Sequence, residues 1–290
     1  MPADAAEPLA ESAPLAWRLA PQRCAPLAPA AETCAWNHGL WQTLRLLELI
    51  AAPVHHAELY QRAFAPLAGG ARVLVSAAAD YGMLAQVLAG FAGRGAAPQV
   101  TVTDVCETPL ELNRWYAARQ GVGIETRRVD ILEFDGAAPF DAVCTHSFLG
   151  QFSPAARKRL LARWQGLLRP GGRVATVNRL RPGAAPEPRI GFSAAQAQAF
   201  VRNVMEAAAG RSLPMDAAAL EQAAARYAAR QGAWPIASLE ELRQLFEQAG
   251  FAIEHLSSAP VRGVARQHAV SGPTTPGAAQ YAWIIATRRP

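Results

Sequence analysis

Lysine is nearly absent from this 290-residue chain: Lys158 is the single one, and every other basic residue is arginine or histidine. This arginine usage and the abundant alanine are typical of a GC-rich genome, so the sequence pI of 9.4 carries little functional information. The arginines are scattered, and the densest basic cluster, 157–159, is interpreted as a solvated helix face. The sequence therefore predicts no nucleic-acid partner.

Long apolar runs and targeting signals are also missing. No uncharged apolar run reaches the roughly 18 residues that a membrane span needs. The first twelve residues are acidic and interrupted by prolines, unlike the basic and apolar segments of a signal peptide. These absences predict a soluble cytoplasmic protein without a membrane partner.

Cysteine is scarce, and its spacing matches no zinc or CxxC pattern. Cys144 lies inside an apolar run, where a reduced core thiol is expected. His55 and His56 have no acidic partner at ligand spacing. The sequence therefore predicts no metal site, although it contains four cysteines: Cys24, Cys34, Cys106 and Cys144.

The residues that are present divide the chain into four parts. Residues 1–35 are rich in alanine and proline and predict a loose arm, and 36–70 predict an N-terminal helical cap. Short β-branched runs alternate with helical patterns over 71–180 and again over 238–290. The intervening residues, 181–237, predict a helical lid insert.

This alternation predicts an α/β fold with a Rossmann-like, doubly wound and mostly parallel sheet. The last two strand patterns, FAIEHL and YAWIIAT, are joined by a long Gly/Pro segment, so an antiparallel edge strand is expected. The first five predicted strands are 72–77, 100–103, 124–129, 140–145 and 173–178.

Ligands of such sheets bind beyond the carboxyl ends of the strands. Asp104 follows the second predicted strand and Asp130 the third, where carboxylates can accept hydrogen bonds from a ribose and from an adenine amino group. The turn after the first strand, 76–82, is made of small residues but lacks GxGxxG, which argues against a dinucleotide. A helix N-cap or turn role for either acid is the alternative.

The loops after strands four and five predict the acceptor side of the site. His146 is a candidate general base, because an imidazole titrates near neutral pH. Binding of the cofactor or of a backbone carbonyl is the alternative for His146. Asn178 is a candidate for orienting a substrate, and Arg179 or Arg181 for holding an anion, with a plain surface loop equally open.

The segment FDAVCTHSFLGQF…LLARWQGLLRPGGRVATVN resembles the class I SAM-dependent methyltransferase superfamily most specifically, where SAM is S-adenosylmethionine. The resemblance covers about 71–182 and resumes at 238–290. It implies that Asp104 binds the ribose and that Asp130 binds the adenine. The family's glycine loop maps to Ala77, Ala78 and Ala79, so the chain departs from the pattern there.

The resemblance also implies a full set of site residues. Asp80 is expected to contact the amino group of the cofactor, and His146 is the catalytic candidate. The cofactor-binding residues are Ser76, Ala77, Ala79, Asp80, Asp104, Val105, Asp130, Ile131 and Thr145. The substrate-binding residues are Trp41, Gln151, Asn178 and Arg181.

A small-molecule methyltransferase is the function implied first. Enzymes that methylate amino groups of nucleic-acid bases carry an Asn-Pro-Pro-Tyr motif after strand four, and this loop lacks it. The sequence also lacks the acid cluster of the metal-dependent catechol type. Two alternatives remain: an enzyme that transfers or cyclises the aminocarboxypropyl arm, and a non-enzymatic SAM-binding protein. The expected partner is a small-molecule acceptor, and a homodimer is left open.

Overall fold

The computed structural model describes residues 7–25, 33–260 and 280–290. None of the helices in these ranges is long and apolar enough to cross a membrane. The helices are α1 (Leu9–Arg23), α2 (Ala35–Leu46), α3 (Ala57–Phe64), α4 (Gly82–Gly90), α5 (Glu107–Gln120), α6 (Pro154–Leu167), α7 (Ala194–Ala208), α8 (Ala217–Arg230) and α9 (Leu239–Gln248).

The described strands form a seven-stranded sheet in the order β3-β2-β1-β4-β5-β9-β8 and a small two-stranded sheet, β6-β7. The strands β1 to β5 are parallel, and β9 runs antiparallel to both β5 and β8. This confirms the predicted fold class. The strands are β1 (Arg72–Ser76), β2 (Gln99–Asp104), β3 (Ile124–Arg128), β4 (Phe140–His146), β5 (Leu168–Leu180), β6 (Ile190–Gly191), β7 (Gly232–Ala233), β8 (Phe251–Pro260) and β9 (Gln280–Arg288).

The central strands are apolar on both faces because helices cover both sides of the sheet. On one side, the buried stripe of α6 includes Leu160, Leu161 and Trp164, as its helical spacing predicts. This helix begins at Ser153, whose Oγ accepts a hydrogen bond from the Ala156 amide at 3.3 Å. The core on the opposite side includes residues of α3, α4 and α5.

The interpretation of residues 1–35 as a loose arm is wrong for 9–23, which form α1. Ala13, Ala16 and Ala20 of this helix are buried, and such small side chains let α2 approach closely. A Cβ atom added at Gly39 would lie only 3.3 Å from the Cβ of Ala20. An alanine-rich helix shows little apolar periodicity in sequence, so its packing face could not be recognised.

The N-terminal cap and the insert share one apolar core. Helix α2 packs with α7 and α8, the two helices of the insert, and the three form a continuous helical layer. The residues buried in this layer include Leu40, Leu44, Phe200, Val204, Leu220, Ala224 and Tyr227.

Arg157 is an exception to the predicted solvated face of 157–159, because it is only 1% exposed, whereas Lys158 and Arg159 are exposed. Its Nε donates to the carbonyl of Leu149 at 3.0 Å, and its Nη2 donates to the carbonyls of Trp234 and Pro235 at 2.7 and 2.9 Å. The guanidinium also pairs with Glu241 at 3.2 Å. Arg157 thereby joins the turn after β4 to the end of the insert.

Candidate cofactor and acceptor site

A cavity of about 620 Å³ lies at the carboxyl ends of β1, β2, β4 and β5 and is walled by residues of the cap and the insert. It brings together every site residue predicted from the sequence except Ser76. Ser76 is buried, and its hydroxyl accepts a hydrogen bond from Trp164 Nε1 at 2.9 Å. The structure therefore gives Ser76 a packing role instead of a place on the cavity wall.

Asp104 is held rigidly at the end of β2. Its Oδ2 accepts from the Ala78 amide at 3.1 Å, and its Oδ1 accepts from the Cys106 amide at 2.7 Å. Burial raises the pKa of Asp104 to about 6, although His38 and the two amides favour its charged form. Each carboxylate oxygen has a further lone pair, so both can still accept from vicinal hydroxyls.

Asp130 is more open to solvent than Asp104. It is exposed at the end of β3, and its Oδ1 accepts from the Leu132 amide at 2.9 Å. The neighbouring Ile131 is buried and also lines the cavity. A planar base at this position would have an apolar surface beside a carboxylate that accepts hydrogen bonds.

The alanine loop keeps a conformation that normally favours glycine. Ala77 has a φ of +64°, in the left-handed region. Among the described non-glycine residues, only Glu48 and Ser147 also have positive φ, and Ser147 lies on the same cavity. Strained residues of this kind are common at ligand sites. The backbone shape expected of a glycine loop therefore persists at Ala77.

The carboxylate of Asp80, which is predicted to contact the amino group of the cofactor, is already held by other side chains. Its Oδ2 accepts from Arg45 Nη1 at 2.7 Å and from Trp41 Nε1 at 2.9 Å. Arg45 is buried and also pairs with Glu7. Asp80 thus offers no uncompensated carboxylate to an amino group, and it fixes Trp41 on the cavity wall.

His146 lines the acceptor side of the cavity, and the buried imidazole of His56 packs against it. The rings of His146 and His56 are 5.3 Å apart, and Nδ1 of His56 accepts from Trp283 Nε1 at 3.0 Å. Burial lowers the pKa of His56 to about 4 and the pKa of His146 well below its ordinary value, and neighbouring histidines add to both effects. His146 is therefore neutral at pH 7 and able to accept a proton.

Several buried polar atoms of His146 and its neighbours have no hydrogen-bond partner within the described residues. They are Thr145 Oγ1, His146 Nε2, Asn178 Nδ2 and Arg179 Nε. Arg181 is buried on the same strand, and burial, with the nearby charge of Arg179, lowers its pKa to about 10. Buried polar groups are normally hydrogen-bonded, so this cluster marks a place for a polar ligand.

The remaining cavity wall was missed because its residues come from distant segments without a motif. Ser147 and Phe148 follow β4, and Tyr281 begins the last strand. Others come from the cap and the insert, namely Trp36, Asn37, His38, Arg189, Gln231 and Ala233. No local spacing in the sequence distinguishes these residues from ordinary core and loop positions.

Spacing along the chain indicates no metal site, but the fold brings four candidate ligands together. Cys24, Cys34, His38 and Cys106 lie together beside Asp104, with their ligand atoms all within 4.8 Å of one another. These residues come from the ends of two helices and from the turn after β2, so no short motif unites them.

Residues 79–172 match the family model described as a methyltransferase domain. This match covers strand ends that carry Asp80, Asp104, Asp130 and His146. The chain therefore contains a methyltransferase domain. No curated protein matches the chain in sequence.

Solved structures of methyltransferases and of one cyclase share the fold. The chain is 20% identical to the 1,6-didemethyltoxoflavin-N1-methyltransferase of Burkholderia thailandensis, with a TM-score of 0.50 over 93% of this chain and 96% of that one. It is 15% identical to the [4+2]-cyclase SpnF, with a TM-score of 0.50 over 81% and 80% of the respective chains. The methyltransferase SibL is 20% identical with a TM-score of 0.49, and the match covers 91% of this chain and 60% of SibL.

Proposed function

We propose that this methyltransferase transfers a methyl group from SAM to a small acceptor that carries an acidic group. The observation that carries the proposal is the division of one cavity into two chemically different halves. The cofactor half is formed by the strand-end acids Asp104 and Asp130, and the acceptor half by His146, Asn178 and the buried arginines Arg179 and Arg181.

The cofactor half suits an adenosine sulfonium. Asp104 presents a fixed carboxylate to vicinal ribose hydroxyls, and Asp130 with Ile131 suits an adenine ring. The left-handed backbone at Ala77 shapes the loop where the methionine part would lie. Because Asp80 is bound to Arg45, backbone groups of the 77–79 loop carry more of the recognition of that part.

The acceptor half suits a small molecule with a negative charge. Two buried guanidinium groups at the end of β5 favour an anion, since arginine matches carboxylate and phosphate geometry. The unpartnered atoms of Thr145, Asn178 and Arg179 gain hydrogen bonds when a polar acceptor is present. The cap and insert close the cavity over this half, which favours a metabolite over a macromolecule.

Bound SAM supplies a methyl group already activated on a sulfonium. The protein therefore contributes mainly alignment of the acceptor and exclusion of water, which is worth several kcal/mol. A base is needed only where the nucleophile still carries a proton at pH 7. In that case the imidazole of His146 takes the proton, because burial keeps the ring neutral beforehand.

Calorimetric titration with SAM and S-adenosylhomocysteine tests the cofactor half. Micromolar binding is expected for the wild type, and at least about 30-fold weaker binding for Asp104→Ala, since two charged hydrogen bonds are lost. The matched control is Asp135→Ala, which removes an exposed acid paired with Arg163 outside the cavity. A folded wild type that binds neither compound would refute the proposal.

A screen with methyl-labelled SAM tests the acceptor half. Small aromatic and heterocyclic carboxylates, phenols and phosphates are compared with their uncharged analogues. We expect labelled methyl groups in the acidic acceptors, together with release of S-adenosylhomocysteine. We also expect Arg179→Met to raise the KM for the acceptor about tenfold or more. The control Arg173→Met lies on the same strand, where its guanidinium pairs with Glu254. Exclusive turnover of uncharged acceptors contradicts an acidic substrate.

Attack on the aminocarboxypropyl arm is the second candidate function. It is favoured by the unusual contact of Asp80 with Arg45, which changes the charge where that arm would lie. Product analysis separates the two chemistries, because attack on the arm yields methylthioadenosine and methyl transfer yields S-adenosylhomocysteine. Binding without any turnover would instead support a non-enzymatic SAM-binding protein.

A further inference from the structure

Three cysteines and one histidine meet beside the cofactor half of the cavity. Cys24 is at the end of α1, Cys34 precedes α2, His38 is in the first turn of α2, and Cys106 precedes α5. Three of these side chains are buried and Cys34 is half-buried. The fold thus joins two N-terminal helices and the turn after β2 at a single cluster of ligand groups.

The distances within this cluster suit one ion. The Sγ of Cys24 lies 3.4 Å from the Sγ of Cys106 and 3.5 Å from Nδ1 of His38. Tetrahedral zinc, with Zn–S of about 2.3 Å and Zn–N of about 2.0 Å, separates its ligand atoms by roughly 3.5–3.8 Å. All four ligand atoms lie within 4.8 Å of one another, which leaves no room for a cluster of several iron atoms.

We propose that Cys24, Cys34, His38 and Cys106 bind one Zn²⁺ ion as a structural site. Three thiolates and one imidazole complete a tetrahedral shell, and a complete shell is typical of structural zinc. The cysteines of the cluster are free thiols, and the 3.4 Å between the Sγ atoms of Cys24 and Cys106 far exceeds the S–S bond length of about 2.05 Å.

The surroundings of the cluster resemble the outer shell of a metal site. Thr108 Oγ1 lies 3.0 Å from the Sγ of Cys24, where its hydroxyl can donate to a thiolate. The amide of Cys106 donates to Asp104 at 2.7 Å, so the ion would also fix the turn that carries this carboxylate. The zinc would fasten α1 and α2 to the sheet, a role independent of the proposed methyl transfer.

Metal content of the purified chain is the first test. The protein is prepared under reducing conditions without chelators, and its metal content is measured by inductively coupled plasma mass spectrometry. We expect one zinc ion per chain in the wild type and at least about a tenfold lower content in Cys106→Ala and His38→Ala. The control is Cys144→Ala, which removes a buried cysteine of β4 outside the cluster and should leave the zinc content unchanged.

Cobalt substitution supplies a test that does not depend on the folding of the variants. Wild-type protein in which Co²⁺ replaces Zn²⁺ should show the intense visible bands of tetrahedral cobalt and the near-ultraviolet charge transfer of thiolate ligands. A metal-free folded wild type that binds neither ion, an octahedral cobalt spectrum, or zinc fully retained in Cys106→Ala would overturn the proposal. A Cys24–Cys106 disulfide found in the protein as isolated would overturn it as well.

Discussion

The two halves of the cavity differ in how the protein satisfies their polar groups. In the cofactor half, Asp104 accepts from two backbone amides and Asp80 is held by Arg45 and Trp41. In the acceptor half, buried atoms of Thr145, His146 and Arg179 have no partner within the described residues. A prearranged half suits a cofactor that is always the same, and the unsatisfied half marks where specificity for the acceptor resides.

The largest effect is expected from breaking the prearranged half at Arg45. Removal of one partner from a buried ion pair leaves an uncompensated charge and typically costs about 3–5 kcal/mol. Arg45→Met should therefore lower the free energy of unfolding by about that amount, measured by urea denaturation. The double variant Arg45→Met/Asp80→Asn should recover part of the loss, because Asp80 then carries no uncompensated charge and only Glu7 lacks its cation.

An exposed ion pair provides the control for Arg45. Arg119 pairs with Glu11 at 2.8 Å, and both side chains are about half exposed. Surface pairs contribute about 0–1 kcal/mol, so Arg119→Gln should have a small effect. Equal losses in Arg45→Met and Arg119→Gln would show that the 45–80 pair is not part of a rigid, prearranged wall.

The cofactor half could largely be predicted from the sequence because each element is local. The β-branched runs placed the strand ends, and Asp104 and Asp130 follow directly from them. Most of the acceptor-side candidates also follow strands: His146, Gln151, Asn178, Arg179 and Arg181. Trp41, on the N-terminal cap, is the exception. The other walls of the acceptor half depend on how the cap and insert pack together, and that packing joins residues more than a hundred positions apart.

Two features could not be recognised from the sequence: the buried face of the alanine-rich helix α1 and the cysteine cluster. Alanine is small and weakly apolar, so the buried face of α1 left no amphipathic pattern in a segment interrupted by Pro14 and Pro21. The cysteine cluster depends on long-range contacts between α1, α2 and the turn after β2. Neither feature is set by short-range spacing, which is what sequence patterns record.

Stability in mild acid tests whether His56, the buried imidazole that packs against His146, is neutral. The pKa of His56 is lowered to about 4 in the fold, so protonation favours the unfolded state. The stability that neutral His56 contributes to the fold is present above its pKa in the unfolded state, near 6.5, and is lost as the pH falls towards 4. The loss attributable to His56 is on the order of 3 kcal/mol.

The measurement is the free energy of unfolding of the wild type and His56→Gln at intervals from pH 7 to pH 4. The slope with pH should be smaller in the variant, because one group that takes up a proton on unfolding has been removed. His255→Gln is the control, since that half-buried imidazole lies on β8, away from the cavity. Identical slopes in wild type and His56→Gln would show that His56 is not buried as a neutral ring.

Turnover tests whether His146 accepts a proton in the reaction. With an acceptor that is protonated at pH 7, His146→Asn should lower kcat about 100-fold, in the range of general-base catalysis. Because burial lowers the pKa of His146, the wild-type kcat should show no decline attributable to this group between pH 8 and pH 6. An unchanged kcat in the variant would leave His146 a positioning role at most.

The smallest effect concerns the loop where both halves meet. Ala77 adopts a left-handed backbone, which costs a non-glycine residue about 1–2 kcal/mol, whereas glycine adds about 0.5–1 kcal/mol of entropy cost on folding. Ala77→Gly should therefore raise the free energy of unfolding by up to about 1 kcal/mol. Ala79→Gly, which relieves no left-handed strain, should lower it. A loss of stability in both variants would mean that contacts of the Ala77 methyl group outweigh its strain, and that the loop is fixed by packing as firmly as the acids of the cofactor half.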